Sequence, residues 1–216
     1  MQVATLEALK KQYPECPIIE QDNLYFVLTE GRALKYLKPR RKEQIREILL
    51  EGNFPKRYID RVLGSEKKKT EALQVALSAQ RGLFLIGSAG VGKTYACVHK
   101  IALLLKNLKV NRPLYLPLQN LKDVFETKKA LWDYDSFLLD DLNPNLGEWE
   151  RKLVIEVIYH AYNEEKLLFI TSNASFKTIA QFLKEEPLIS RLMEICDVKH
   201  VKGEDLRLAT VNRTTQ

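Results

Sequence analysis

The sequence holds no run of apolar residues long enough to span a bilayer, and its opening stretch, Met1 to Lys11, is mixed polar with no apolar segment of the export type. Neither membrane insertion nor export is expected. Cysteine is scarce: Cys16, Cys97 and Cys196 lie far apart with no paired spacing, so neither a zinc knuckle nor a disulfide framework is written here. A reducing cytoplasm is the expected setting. Internal repeats and low-complexity tracts are absent as well. What is present is ordinary globular usage, 45% hydrophobic and 29% charged over 216 residues, enough for one full domain and a small second one. The formal net charge of +6 biases the surface toward anionic partners such as nucleic acid without locating them.

Up to about Gly64 the pattern is mixed, and Pro14, Pro17, Pro39 and Pro55 cut it into short elements. Tyr25 to Leu28 reads as a strand. Arg41 to Glu51 reads as a helix with Ile45, Ile48 and Leu49 on one face. The basic run Lys38, Arg40, Arg41, Lys42 has two readings, a solvated helix start or a contact to phosphate or an acidic partner. After a link at Phe54 to Leu63 and a helix at about Glu66 to Gln80, strands and helices alternate. Apolar strands are expected at Leu83 to Ile86, Leu114 to Leu116, Phe137 to Leu139, Leu167 to Thr171 and Val198 to Val201. Helices are expected at Thr94 to Leu108, Glu148 to Asn163 and Phe176 to Leu183. Such alternation predicts a parallel sheet covered on both faces.

The chemistry sits at the ends of these strands. Gly87-Ser88-Ala89-Gly90-Val91-Gly92-Lys93-Thr94 follows the first strand and opens a helix, the context that G-x-x-x-x-G-K-[ST] requires. Its glycines let consecutive N–H groups turn inward at a helix N-terminus whose partial positive charge attracts phosphate. Lys93 can neutralise β- and γ-phosphate oxygens, Thr94 offers a hydroxyl to Mg²⁺, and Tyr95 contributes backbone beside the loop. Phe137-Leu138-Leu139-Asp140-Asp141 is an apolar strand ending in two carboxylates. Asp140 is expected to hold Mg²⁺ through water, and Asp141 to orient or deprotonate an attacking water. Asn173, after Leu168 to Ser172, can position that water or sense the γ-phosphate, although asparagine after a strand is also a common turn residue. Arg191, in the apolar segment Pro187 to Leu192, reads either as an arginine finger acting on a neighbouring subunit or as a surface salt-bridge partner. Tyr95, Trp132 and Trp149 read as packing residues before base-stacking ones.

Together, the phosphate loop, Asp140-Asp141-Leu142, Thr171-Ser172-Asn173, Ser190-Arg191-Leu192 and Lys202-Gly203-Glu204-Asp205-Leu206-Arg207 resemble the DnaC/DnaI/IstB family of AAA+ ATPases. The likeness covers roughly the last two thirds of the chain, and Phe54-Pro55-Lys56-Arg57-Tyr58 extends it slightly upstream. It implies an α/β P-loop core, residues 66–216, with a parallel five-stranded sheet between helices. A small α+β partner-binding domain, 1–53, would precede it, joined by a linker at 54–65. It further implies ATP and Mg²⁺ as ligands, Asn173 as a sensor of the γ-phosphate and Arg191 as the finger in an ATP-bound homo-oligomer.

In this family, bacterial helicase loaders grip a DnaB-type replicative helicase with the N-terminal domain and touch single-stranded DNA with the core. The expected activity is therefore ATP hydrolysis, weak without partners, in helicase loading. An IstB-like transposition helper and a nucleotide-gated DNA-bound adaptor with little turnover are the alternatives. A small-molecule kinase would need an acceptor site and an arginine-bearing lid that the sequence does not offer. The chain departs from the family pattern in four places. Asn143 stands where glycine is usual, in a turn where either residue tolerates positive φ. Leu121 to Ser136 leaves room for little more than one helix. The cysteine cluster of some loaders is missing. No helical lid of the usual kind is expected, and Arg207 is the candidate substitute for its sensor.

Overall fold

A computed structural model describes residues 1–65, 69–120 and 131–206, without the side chains of Asn120 and Leu131. Arg207, the stretch 121–130 and the start of the helix expected at Glu66 lie outside the described residues.

The first residues build a small sheet. Strand β1 (Gln2–Val3) leads to helix α1 (Leu6–Gln12), whose first turn is capped by the Thr5 hydroxyl accepting from Ala8 N–H. Strands β2 (Ile18–Gln21), β3 (Leu24–Thr29) and β4 (Arg32–Leu37) form an antiparallel meander, and β1 joins β4 in parallel, giving the order β1-β4-β3-β2. Tyr25, Val27 and Tyr36 face Leu9 of α1 in a separate small core. Of these strands the sequence pattern reveals only β3. In β2 no residue is fully buried and in β4 only Tyr36 is, so neither carries the apolar run that marks a strand covered on both faces.

The remaining strands are β5 (Gly82–Ile86), β6 (Pro113–Pro117), β7 (Ser136–Asp140), β8 (Leu167–Ser172) and β9 (Cys196–His200). They form one sheet in the order β6-β7-β8-β5-β9, with every neighbouring pair parallel. Alternation along each strand sorts the core into two layers. Leu83, Leu85, Tyr115, Leu138 and Phe169 pack on one side with helices α2 (Lys42–Glu51), α3 (Lys56–Leu63), α4 (Glu71–Ser78) and α5 (Lys93–Lys106). Phe84, Ile86, Leu114, Phe137 and Ile170 pack on the other side with α6 (Glu148–Asn163), α7 (Phe176–Leu183) and α8 (Glu186–Ile195). The five expected strands and three expected helices of this part are all present, with no end displaced by more than two residues. Helix α4 runs only over Glu71–Ser78, starting where the Thr70 hydroxyl accepts from Leu73 N–H. Helix α8, which carries Arg191, is a distinct element.

The two sheets are joined through helices that belong to the larger core. Ile45 and Leu49 of α2, with Phe54, and Ile59 and Val62 of α3 are buried in the same cluster as the phosphate-loop helix α5. The residues read as a linker, 54–65, thus hold a packed helix, and α2, read with the first domain, packs on the core. The basic run meets neither of its two readings at Arg40. Its guanidinium turns inward and donates to the carbonyls of Leu105 and Val110, each at 2.8 Å, and to Asn111 Oδ1 at 2.6 Å. Its backbone N–H donates to Lys106 O. A cation at the C-terminal end of α5 answers both the orphan carbonyls and the negative end of the helix dipole. Lys38 lies over the Tyr25 ring and pairs with Glu20 at 3.1 Å. Replacing Arg40 by Ala should lower unfolding stability by about 2 kcal/mol, since part-buried carbonyls lose a charged donor. Arg40→Lys should recover only part of this, because one ammonium cannot reproduce the fork; urea unfolding of the three proteins measures it.

Candidate functional site

All five residues of β5 are buried, and the chain leaves the sheet at Gly87, whose N–H donates to Ser172 O at 3.2 Å and so anchors the loop to β8. Gly90 and Gly92 have φ of +80° and +92°, the left-handed region that glycine enters without strain. Gly92 caps α5 through its backbone alone, and no acidic residue stands in the first turn of that helix. The positive end of a 14-residue helix therefore faces the loop uncompensated by its own first turn. Val91 points into the core, 2% exposed, while Ala89, Gly90, Thr94 and Tyr95 line the cleft. Lys93 is only 7% exposed, and its ammonium donates to Gly87 O, Ser88 O and Asn173 Oδ1, each at 2.8 Å. The loop thus holds its own lysine on neutral acceptors, which an anion inside the loop would outcompete.

The acidic pair stands across the cleft, at the end of β7. Asp140 accepts from the hydroxyls of Thr94 and Thr171 on Oδ1, both at 2.7 Å, and from Tyr115 on Oδ2 at 2.6 Å. Thr171 in turn accepts from Asp141 N–H at 2.9 Å, so its own proton is committed to Asp140. Asp141 has φ of +64°, a conformation that costs a non-glycine residue on the order of 1 kcal/mol and is least costly for Asp and Asn. There its carboxylate accepts from Asn173 Nδ2 at 2.9 Å and from Gln119 Nε2 at 3.2 Å. The positive φ expected in this turn falls on Asp141, not on Asn143. Asn143 supports the turn through its side chain instead, donating to Asp141 O and accepting from Asn145 N–H.

Asn173 is the hinge of the arrangement. Lys93 can only donate and an ionised Asp141 can only accept, so the amide oxygen must face the lysine and the amide nitrogen the carboxylate. Ala89, Gly90, Gly92 to Tyr95, Asp140, Asp141 and Asn173 thus line one cleft of about 1040 Å³, together with Arg57, Tyr58, Arg61 and Ser65, while Gly87, Ser88 and Val91 do not line it. That volume accommodates a ligand of nucleotide size. Arg191 is not brought there. Its guanidinium lies over the rings of Tyr159 and Tyr162 on α6, 4.9 and 5.3 Å from their centroids, away from the residues lining the cleft. Trp132, though 58% exposed, packs edge-on to His160, and Trp149 is 46% exposed.

Of the cleft residues that escape the sequence reading, Tyr115 and Gln119 touch the acidic pair. Tyr115 looks like one more apolar strand residue, and no periodicity marks a hydroxyl aimed at a carboxylate two strand positions away in the sheet. Burial, then the Asp140 charge and the hydrogen bond to it, push the Tyr115 pKa upward and keep the phenol protonated as a donor.

The residues after β9 lie against the back of the phosphate loop. Val201 N–H donates to Ile86 O at 2.8 Å, Lys202 N–H to Glu71 Oε2 at 2.8 Å, and Leu206 N–H to Gly90 O at 3.1 Å. A Cβ on Gly87 would overlap the Val201 carbonyl, and one on Gly90 the Asp205 carboxylate. Close approach by this segment, as well as phosphate access, therefore demands glycine here. Gly87→Ala should lower the stability of the nucleotide-free protein by roughly 1–3 kcal/mol, the usual cost of overpacking. Thermal unfolding without ligand measures it, and an unchanged midpoint would mean that Gly87 serves phosphate access alone.

No protein-family model matches this sequence, and no curated protein matches it either. Solved structures do. The DnaC helicase loader is 24% identical, with a TM-score of 0.55, the match covering 68% of this chain and 100% of that one. A protein of Streptococcus pyogenes serotype M3, proposed as a primosome component, is 22% identical with a TM-score of 0.59, covering 77% of this chain and 99% of that one. DnaI is 18% identical with a TM-score of 0.50, covering 77% and 99%. At such identities the shared property is the fold: this chain has the α/β P-loop fold seen in DnaC and DnaI.

Proposed function

We propose that this chain is an ATPase that loads the replicative DNA helicase during replication initiation, in the manner of the helicase loader whose fold it shares. The observation that carries the nucleotide part is the meeting of the phosphate loop, the Asp140–Asp141 pair and Asn173 in one cleft. ATP is the ligand this arrangement suits, with its phosphates inside the loop against the N–H groups of residues 88–95 and the N-terminus of α5. Lys93 leaves its loop carbonyls for the phosphate oxygens. The hydroxyl of Thr94 and the carboxylate of Asp140, 2.7 Å apart, are hard oxygen donors of the kind Mg²⁺ selects, and few protein ligands suffice for an ion that keeps phosphates and waters. Bound there, Mg²⁺ would neutralise charge on the β- and γ-phosphates. Asp141, held from two sides by Asn173 and Gln119, is set to orient the attacking water as a base rather than to bind metal. Asn173 touches both Lys93 and Asp141, so a phosphate that draws Lys93 away also frees one side of the amide, which suits a sensor.

Arg191 stands outside the cleft of its own chain, the arrangement needed for a finger that completes a neighbour's site in an ATP-bound homo-oligomer. The N-terminal sheet supports a partner grip: on the face turned from α1 it presents Ile19, 50% exposed, and Leu28, 38% exposed, beside Phe26. The partner proposed is a DnaB-type helicase, and single-stranded DNA is the proposed nucleic acid, in keeping with the net charge of +6. A cytoplasmic setting follows from that role; no helix among the described residues is long and apolar enough to cross a membrane.

Lys93→Ala should cost about 2 kcal/mol of ATP affinity, roughly thirtyfold, read by equilibrium binding of a fluorescent ATP analogue. Arg191→Ala should leave that binding intact and lower hydrolysis on the order of a thousandfold in the assembled state. Capture of a DnaB-type hexamer tests the loader itself. The intact chain should retain the helicase with ATP present, and the doubly substituted Ile19→Asp, Leu28→Asp chain should lose it while still binding ATP. Failure of the intact chain to capture the hexamer would sink the loader reading and leave the nucleotide site standing.

A further inference from the structure

Tyr115 lies on β6, the strand at one end of the core sheet, and three features of the upstream peptide 52–54 fix it. Its N–H donates to Gly52 O at 2.8 Å, its carbonyl accepts from Asn53 Nδ2 at 3.4 Å, and its ring packs on Phe54 with centroids 5.5 Å apart. The peptide thereby covers the outer edge of β6, which would otherwise offer unpaired backbone groups. It comes close enough that a Cβ on Gly52 would overlap the Pro113 carbonyl. With backbone and ring held, the hydroxyl donates to Asp140 Oδ2 at 2.6 Å. Packing alone would be served by phenylalanine, since Tyr115 is 4% exposed and its ring belongs to the buried cluster. The hydroxyl is the part that packing does not require.

We propose that Tyr115 is a positioning residue for Asp140, and that peptide 52–54 sets its position. The proposal rests on the nucleotide reading given above and adds to it a residue and a route. A carboxylate carrying three hydroxyl donors on two oxygens has few remaining lone-pair directions, and the Tyr115 donor fixes Oδ2 while Thr94 and Thr171 share Oδ1. When Thr94 turns its oxygen to a metal, Tyr115 and Thr171 remain to keep the carboxylate from rotating. Donors of this kind around a metal-facing carboxylate typically govern metal affinity by 10–100-fold, here estimated at about tenfold for one neutral hydroxyl. The route runs through sequence: α2 enters peptide 52–54 and α3 leaves it, so a displacement of α2 against the core is felt at the Tyr115 ring before it is felt at Asp140.

The test is equilibrium binding of a non-hydrolysable fluorescent ATP analogue to the full chain, measured once with Mg²⁺ and once with EDTA. The readout is the ratio of the two affinities. Tyr115→Phe should reduce that ratio about tenfold relative to the unmodified chain, by loss of one outer-shell donor. Phe54→Leu, which loosens the ring but keeps the hydroxyl, should move it in the same direction, and it also serves if Tyr115→Phe proves unstable. An unchanged ratio in Tyr115→Phe would overturn the positioning role, and an unchanged ratio in Phe54→Leu alone would overturn the route. Absence of binding by the unmodified chain in both buffers, or undiminished binding by Lys93→Ala, would instead overturn the nucleotide reading beneath it.

Discussion

The Asp140 carboxylate gathers hydroxyls from three directions: Thr94 on α5, Tyr115 on β6 and Thr171 on β8. That convergence depends on the parallel sheet. In the order β6-β7-β8-β5, the end of β7 is flanked by two strands that terminate on the same side, while the helix leaving β5 returns across it. An antiparallel neighbour would bring a strand start to that edge rather than a strand end. The rule that ligands gather at the carboxyl ends of parallel strands follows from the same geometry. Here it also accounts for Thr171, which joins the two carboxylates by accepting from the Asp141 backbone and donating to Asp140.

Around that point the loop is confined on both sides. The cleft side must stay open to a ligand, while Val201 and Asp205 press on the loop glycines and Leu206, bonded to Gly90 O, also lines the cleft. Glycine at Gly87 and Gly90 meets two demands together, inward N–H groups and tolerance of a segment pressed against the backbone. A reading of the motif that considers only phosphate accounts for half of this. Held between the two, Lys93 has to be satisfied without a ligand, and the loop carbonyls with Asn173 do so. A buried ammonium left on no acceptor would be costly, so the ligand-free loop is kept in shape by the group that later meets the ligand.

How much of this was legible from the sequence depends on how local the signal is. Strands β5 to β8 are largely buried along their length and read as apolar runs, and the phosphate loop is a contiguous motif, so both stand out. The sheet at the N-terminus is buried on one face under a single short helix, and its strands Ile18–Gln21 and Arg32–Leu37 mix apolar with charged and polar residues in no regular period, so neither stands out by composition. Arg40 looked like part of a solvated basic run because its partners, Leu105, Val110 and Asn111, are some seventy residues away. Tyr115 and Gln119 were hidden for the same reason, each meeting an acid more than twenty residues distant. In the turn after β7, the family pattern drew attention to Asn143, whereas the unusual backbone sits at Asp141, because it is the Asp141 side chain that must reach Gln119 and Asn173.

Helix α5 connects these observations. Its positive end forms the phosphate loop and its negative end is met by Arg40, so one helix carries a candidate anion site at one terminus and a fixed cation at the other. The chain reaching Arg40 comes directly from β4 of the N-terminal sheet, and a dozen residues later the same chain passes Gly52 to Phe54 beside Tyr115. The N-terminal sheet is therefore attached to the core at two places, each of which leads to the cleft: through the axis of α5 to Lys93 and Thr94, and through Tyr115 to Asp140. Between the two attachments, α2 is itself buried at Ile45 and Leu49 in the same cluster as that helix. Packed interiors transmit displacements rather than absorb them, so the packing of α2 and of peptide 52–54 bears on the elements that hold Lys93, Thr94 and Tyr115.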